Sequence, residues 1–347
     1  MLRKTLYLLF VATCAISATE FYAHHRFPAL RDRAHYEEMA FIRLLNSGVV
    51  YRPGGGNYDE RFGFLNNPNI RETIRTDEYR YTVHTNSLGF RTHEIEPKPP
   101  GQRRLMLLGD SIFFGVGVDY EASLAALLEG MVDSLTVYNF AMLGHNTVQS
   151  LIAARAFSDQ VEPDHIVCGV FIGNDLISNA LNYVDGQNRI AAHLDQIAAM
   201  RARLLSTLAP FSWSMALRAW AWAAYIPRLR YQISAEPAIL SATARHLEAL
   251  ARHAAEAGSA FTAVLIYPKD AVAGGLVEHW SQSRHPGQLL AHICRERGIE
   301  ILDLLEHLDD AGDRDRYYFE QDGHLNAAGH ALVARLIRDR WLAETDR

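Results

Sequence analysis

Four short stretches of this 347-residue chain carry side chains that suit acyl chemistry, and each follows an apolar run. Gly109-Asp110-Ser111-Ile112 comes directly after Leu105-Met106-Leu107-Leu108. A serine there sits where a buried strand hands over to a helix, so its hydroxyl is exposed and its own N–H is among the unpaired donors of the helix start. It offers a nucleophile and one donor to a developing oxyanion. Taken alone, the tetrapeptide reads equally well as a helix cap. Its company changes that. Gly144, in the stretch 139–146 after Thr136–Phe140, can bring its backbone N–H close to a substrate because no side chain blocks the approach. Asn174, in Gly173-Asn174-Asp175 after His165–Ile172, carries an amide that can donate to the same oxyanion, or reads as a plain turn residue. His324 ends the series, with Asp322 two residues upstream to orient it. The candidate set is therefore Ser111, His324 and Asp322 as nucleophile, base and orienting acid, with Ser111, Gly144 and Asn174 as oxyanion donors. Asp110 and Asp175 read as structural carboxylates that bond nearby backbone N–H groups. His145 and His330 read as bystanders, and Asn326 and Gly329 as cap and packing residues of the last helix.

The elements that must hold these groups are legible as apolar runs. Besides the three named above, Phe261–Tyr267 and Ile299–Leu304 complete a set of five, with helical stretches between them. Strand alternating with helix predicts a parallel sheet covered on both faces, whose ligands bind beyond the carboxyl ends of the strands. Pro237 to Ala257 carries its apolar residues near helical spacing, and Gly258 stops it. Residues 178–236 are too long for an ordinary crossover and read as a helical insertion. Its aromatic and Arg residues, including Trp213, Trp220, Trp222 and Arg218, suit a membrane-surface face, a lid over an apolar substrate, or a helical pair packed on the core. Residues 25–100, punctuated by Pro53-Gly54-Gly55-Gly56 and Pro97-Lys98-Pro99-Pro100-Gly101, read as an irregular lead-in with one strand at Tyr79–Thr85. The expected division is 1–24, a signal peptide or N-terminal membrane anchor; 25–100, the lead-in; and 101–347, the α/β domain.

The four motifs, in this order and strand context, closely resemble the SGNH/GDSL hydrolase family. Thr85-Asn86-Ser87-Leu88-Gly89-Phe90-Arg91 also resembles a lead-in of its exported, often anchored members. The resemblance implies a three-layer α/β/α flavodoxin-like fold and ester chemistry on acyl groups, with no metal or organic cofactor. Carried over, it makes Ser111 the nucleophile, His324 the base, Ser111, Gly144 and Asn174 the oxyanion hole, and Asp322 the acid. In many members the acid stands three residues before the histidine. Gln321 holds that position here, some acyl-transferring relatives use the shorter spacing, and Glu320 is a rival to Asp322. The expected function is a serine esterase acting on short acyl esters or O-acylated envelope glycans. An O-acetyltransferase using the same site is the first alternative, and a catalytically silent binding module of the same fold is the second.

Composition narrows the partners. Lys plus Arg number 34 against 40 Asp plus Glu, a net charge of −6, and no basic block stands out, so nucleic acid is not an expected partner. Cys14, Cys168 and Cys294 form neither a disulfide framework nor a zinc-ligand spacing, and His24-His25 is a weak metal motif. Arg3 and Lys4 precede the uncharged, apolar run Thr5–Thr19, in the order of a secretory signal. Extended through Ala23, the segment approaches the ~20 residues that cross a bilayer, so cleaved signal and retained anchor are both open. Val11-Ala12-Thr13-Cys14 resembles a lipoprotein signal, with Thr13 where a smaller residue is usual. The charge order places the catalytic part outside the cytoplasm, on the periplasmic or extracellular face, with the membrane met through the N-terminal segment. The oligomeric state has no sequence signal.

Overall fold

Between residues 57 and 84 the lead-in folds into two antiparallel hairpins: β1 (Asn57–Asp59) with β2 (Gly63–Leu65), and β3 (Arg71–Arg75) with β4 (Arg80–His84). The structure, a computed structural model, describes residues 2–45, 56–308 and 314–345. The expected break at Pro53-Gly54-Gly55 lies outside them. The turn joining β3 to β4 is set by Thr76: its hydroxyl accepts from the N–H groups of Glu78 (3.2 Å) and Tyr79 (3.1 Å), and its own N–H donates to Tyr79 O (2.9 Å). A hydroxyl that bonds backbone two and three residues on mimics a backbone turn, which fixes where Glu78 and Tyr79 leave the hairpin.

The five apolar runs form one parallel sheet from β5 (Arg103–Leu108), β6 (Leu135–Asn139), β7 (His165–Phe171), β10 (Ala260–Ile266) and β11 (Ile301–Asp303). Between β7 and β10 lies a third hairpin, β8 (Asn182–Val184) with β9 (Ile190–Ala192), which corrects the reading of residues 178–236 as wholly helical. Sheet order is β6-β5-β7-β10-β11. In order of appearance this is 2-1-3-4-5, the flavodoxin-like arrangement, and the chain reverses its direction of progress at β5. Leu105, Met106, Leu107 and Leu108 are all buried, as a strand covered on both faces requires. Each such side chain contributes about 1.5–3 kcal/mol by leaving water. Two helix groups supply the cover. Leu124–Met131 packs with Ala327–Thr345, and Pro237–Glu256 packs with Thr147–Val161, Asp175–Leu181 and His285–Glu296.

The chain divides into two compact units, Met1–Gly48 with Leu194–Arg230, and Val49–His193 with Tyr231–Arg347. The second holds the sheet. Within the first, the helix Leu2–Arg26 is joined to the helix Met215–Trp220 by Glu20, whose carboxylate accepts from Ser214 Oγ (2.7 Å), Met215 N (2.5 Å) and Ala216 N (3.0 Å). An anion at a helix N-terminus meets unpaired donors and the positive end of the dipole. Arg218 holds the carbonyls of Leu30 and Arg31 at 2.9 and 2.7 Å. Trp213 and Phe21 are exposed in this unit. Among the described residues no helix is long and apolar enough to cross a membrane. The side chains of residues 1–11 and of Cys14, on which the secretory and lipoprotein readings fall, lie outside those described.

Candidate active site

Ser111 begins the four-residue helix Ser111–Phe114 directly beyond β5, the strand at which the sheet order reverses. Asp110 is its N-cap, accepting from Ile112 N at 2.9 Å, and Gly115 closes the turn in the left-handed region at φ 86°. A one-turn helix capped at both ends cannot drift, so the serine hydroxyl is held at the sheet rim. The capping explains the Asp and Gly that flank the serine.

The rim brings Ser111 to His324, 213 residues later. His324 Nε2 lies 2.8 Å from Ser111 Oγ, and His324 Nδ1 bonds Asp322 Oδ1. The same carboxylate oxygen accepts the backbone N–H of His324 at 2.9 Å, which closes a tight loop over Gly323. Asp322 Oδ2 accepts from Tyr79 Oη at 2.6 Å. Burial acts to raise the Asp322 carboxyl, but the bonds from His324 and Tyr79 outweigh it and hold it at about 2. An ionised carboxylate only accepts, so Nδ1 carries the proton. In the neutral ring Nε2 then presents its lone pair to the serine hydroxyl. Between the two rival acids the geometry selects Asp322. Glu320 is exposed, and its backbone carbonyl is bound by Lys269 Nζ at 2.7 Å.

Gly144 and Asn174 follow β6 and β7, the two strands hydrogen-bonded to β5, so they stand on either side of Ser111 at one edge of the sheet. Gly144 is exposed and adopts φ 73°, a conformation that costs a glycine nothing. Asn174 is the N-cap residue of the helix Asp175–Leu181, yet its side chain makes no capping bond and remains free for other use. Asp110 and Asp175 both bond nearby backbone N–H groups: beside the Ile112 cap, Asp175 Oδ2 accepts from Phe171 N at 2.9 Å, and Asp110 Oδ2 also lies 3.5 Å from Ser111 Oγ. Both are fully buried, and burial pushes both carboxyls up. His145 bonds Phe64 O (2.9 Å) and His330 is buried, so neither joins the Ser111 line. Asn326 caps the last helix by accepting from Ala328 N and Gly329 N, and a Cβ on Gly329 would lie 2.3 Å from Tyr317 O.

Three further residues steady this region, and the sequence reading gives none of them a role. Tyr79 bonds Asp322. Glu78 accepts from Gln321 N (3.0 Å) and Asp322 N (2.9 Å). Arg91, the last residue of the Thr85–Arg91 stretch, is buried and donates to the carbonyls of Thr82 (3.1 Å), Gly115 (2.8 Å) and Val118 (2.9 Å). It ties β4 to the turn after the Ser111 helix. That stretch resembles a family lead-in, and the fold shows what its arginine holds.

A strand-end serine, an imidazole in reach of it and a carboxylate behind the imidazole define the serine hydrolase class of site. Residues 107–332 match the model of the GDSL-like lipase/acylhydrolase family, and the chain belongs to that family of ester-bond hydrolases. A comparison with curated proteins gives no match. Among solved structures the chain is similar to a member of the lipolytic protein G-D-S-L family from Veillonella parvula, with 15% identity, 69% of this chain and 98% of that one covered, and a TM-score of 0.41. It is also similar to the psychrotrophic esterase EstA from Pseudoalteromonas sp., with 13% identity, 70% and 100% covered, TM-score 0.40. A third is a GDSL-like lipase from Bacteroides thetaiotaomicron, with 10% identity, 71% and 91% covered, TM-score 0.42.

Proposed function

We propose that the protein is a serine esterase acting on short acyl esters or O-acylated envelope glycans through an acyl-enzyme. The observation that carries this reading is the line from Ser111 Oγ through His324 Nε2, at 2.8 Å, to Asp322 behind Nδ1. Ser111 Oγ attacks the ester carbonyl carbon as its proton passes to His324 Nε2. The carbonyl oxygen becomes an oxyanion facing the N–H groups of Ser111 and Gly144 and the Asn174 amide. The C–O bond to the leaving alcohol breaks, and that oxygen takes the proton from His324. Water then gives a proton to His324 and attacks the acyl carbon, and Ser111 departs with the proton. Asp322 stays ionised and stabilises the imidazolium in both halves.

The charge order Arg3, Lys4, then the apolar run Thr5–Thr19, supports a catalytic unit outside the cytoplasm and an envelope substrate. Glu20 supports retention of this segment, because its carboxylate satisfies three donors around the start of the helix Met215–Trp220.

A panel of p-nitrophenyl esters from acetyl to palmitoyl, run beside an acetylated polysaccharide, tests the activity. Wild type should turn over the short esters and take up an organophosphonate probe, and Ser111→Ala should lose both. A wild type that neither turns over esters nor takes the label would make this a silent binding module. Acetyl transfer to an added glycan in excess of acetate release would make it an O-acetyltransferase.

A further inference from the structure

We propose that the β3–β4 turn is a positioning device for catalysis, in which Tyr79 and Glu78 fix the loop that carries Asp322 and so hold His324 in line with Ser111. The inference rests on the esterase reading above and extends it to two residues outside the stretch that matches the family.

Asp322 lies in a short loop closed at its base by the antiparallel bridge Tyr318–Leu325 and the bond from Phe319 N to His324 O (3.1 Å), which leaves the tip of the loop unladdered. Four contacts hold that tip and its flanks from outside. Tyr79 Oη donates to Asp322 Oδ2, the oxygen that His324 leaves free, at 2.6 Å. Glu78 receives the N–H groups of Gln321 and Asp322, so the backbone on either side of the acid is held by a single carboxylate. The Tyr79 ring packs on Phe319 with centroids 4.7 Å apart. From the opposite end, Lys269 Nζ binds the carbonyls of Phe319 (3.0 Å) and Glu320 (2.7 Å). Gly117 makes the approach possible: a Cβ there would lie 2.4 Å from the Phe319 ring and 3.3 Å from Tyr79. Both oxygens of Asp322 are therefore occupied, one by the base and one by the phenol. A carboxylate with a free oxygen can rotate and offer His324 either one, whereas a carboxylate held at both cannot. Neither Tyr79 nor Glu78 touches the reacting atoms; they act through Asp322.

Tyr79→Phe keeps the ring and its packing on Phe319 and removes only the bond to Asp322. We expect kcat on p-nitrophenyl acetate to fall roughly tenfold, about 1.4 kcal/mol of barrier, with KM within about twofold. Glu78→Gln retains one acceptor oxygen and should lose less activity than Glu78→Ala. A Tyr79→Phe protein that keeps the wild-type kcat overturns the positioning role and leaves the esterase reading intact. A wild type without turnover or phosphonate label removes the esterase reading itself, and the positioning role with it.

Discussion

His324 has two ring nitrogens with different tasks, and the residues around them decide which does what. Nδ1 is committed to a carboxylate that stays ionised, so Nε2 is left as the acceptor facing Ser111. That assignment needs no substrate to form, which means the proton path exists before the ester arrives. In the proposed mechanism, stabilisation of the developing charge falls to groups on the neighbouring strand ends, where Asn174 has a side chain that its own helix does not use. Asn174→Ala should reduce kcat by about 10²-fold or more while the protein still takes the phosphonate label slowly, since loss of one oxyanion donor leaves nucleophile and base in place. A kcat within a few-fold of wild type would place the oxyanion elsewhere. Ser111, Gly144, Asn174 and His324 were legible as candidates because each follows an apolar run. Tyr79 was not, because nothing local joins it to a carboxylate 243 residues away.

The elements differ in how plainly they are written. The central strands β5, β7 and β10 hold apolar runs buried on both faces, which suits a covered parallel sheet in an alternating strand–helix chain, whereas the edge strands β6 and β11 carry polar residues among the apolar ones. The β8–β9 hairpin is harder to see: its strands have three residues each, too few to show alternation, although Asp185-Gly186 marks its turn and Asp185 accepts from Gln187 N and Arg189 N. The lead-in looked irregular for a similar reason, its hairpins being short and its Pro and Gly residues conspicuous. Its order depends on a few specific positions. Gly89 sits at φ 85°, and a Cβ there would lie 2.3 Å from the carbonyl oxygen of Asn66. Gly89→Ala therefore meets both backbone strain and a backbone clash, and should lower stability by at least about 1–3 kcal/mol in a denaturant titration. Because Phe90 and Arg91 follow at once and Arg91 grips the turn after Ser111, ester turnover should fall along with stability. A variant with unchanged midpoint would show that the turn relaxes without cost.

At the scale of the whole molecule the sequence order and the spatial order part company. Residues 194–230 lie between two strands of the sheet in the chain, yet they cluster with the first 48 residues into a unit of their own. Apolar periodicity reports which face of a helix is buried, not which partner buries it, so this pairing had no signature beyond the length of the insertion. Glu20 and Arg218 are side chains that tie the two segments together by specific bonds. Glu20→Ala removes the acceptor for Ser214 Oγ and two backbone donors, and should cost about 1 kcal/mol, the usual worth of a helix cap. Hydrogen exchange in residues 214–220 should rise in that variant while residues 103–171 keep their protection. Exchange in residues 214–220 equal to that of wild type would mean the cap is redundant.

The hold that Tyr79 has on Asp322 bears on how a gene for this protein can be cut. The stretch that matches the family starts at residue 107, and a coding fragment begun just ahead of β5 and run through the last helix would still specify the serine, the imidazole and the acid. It would omit the hairpin that meets the acid from outside. Such a fragment would satisfy every motif by which these enzymes are recognised and still be a poor catalyst.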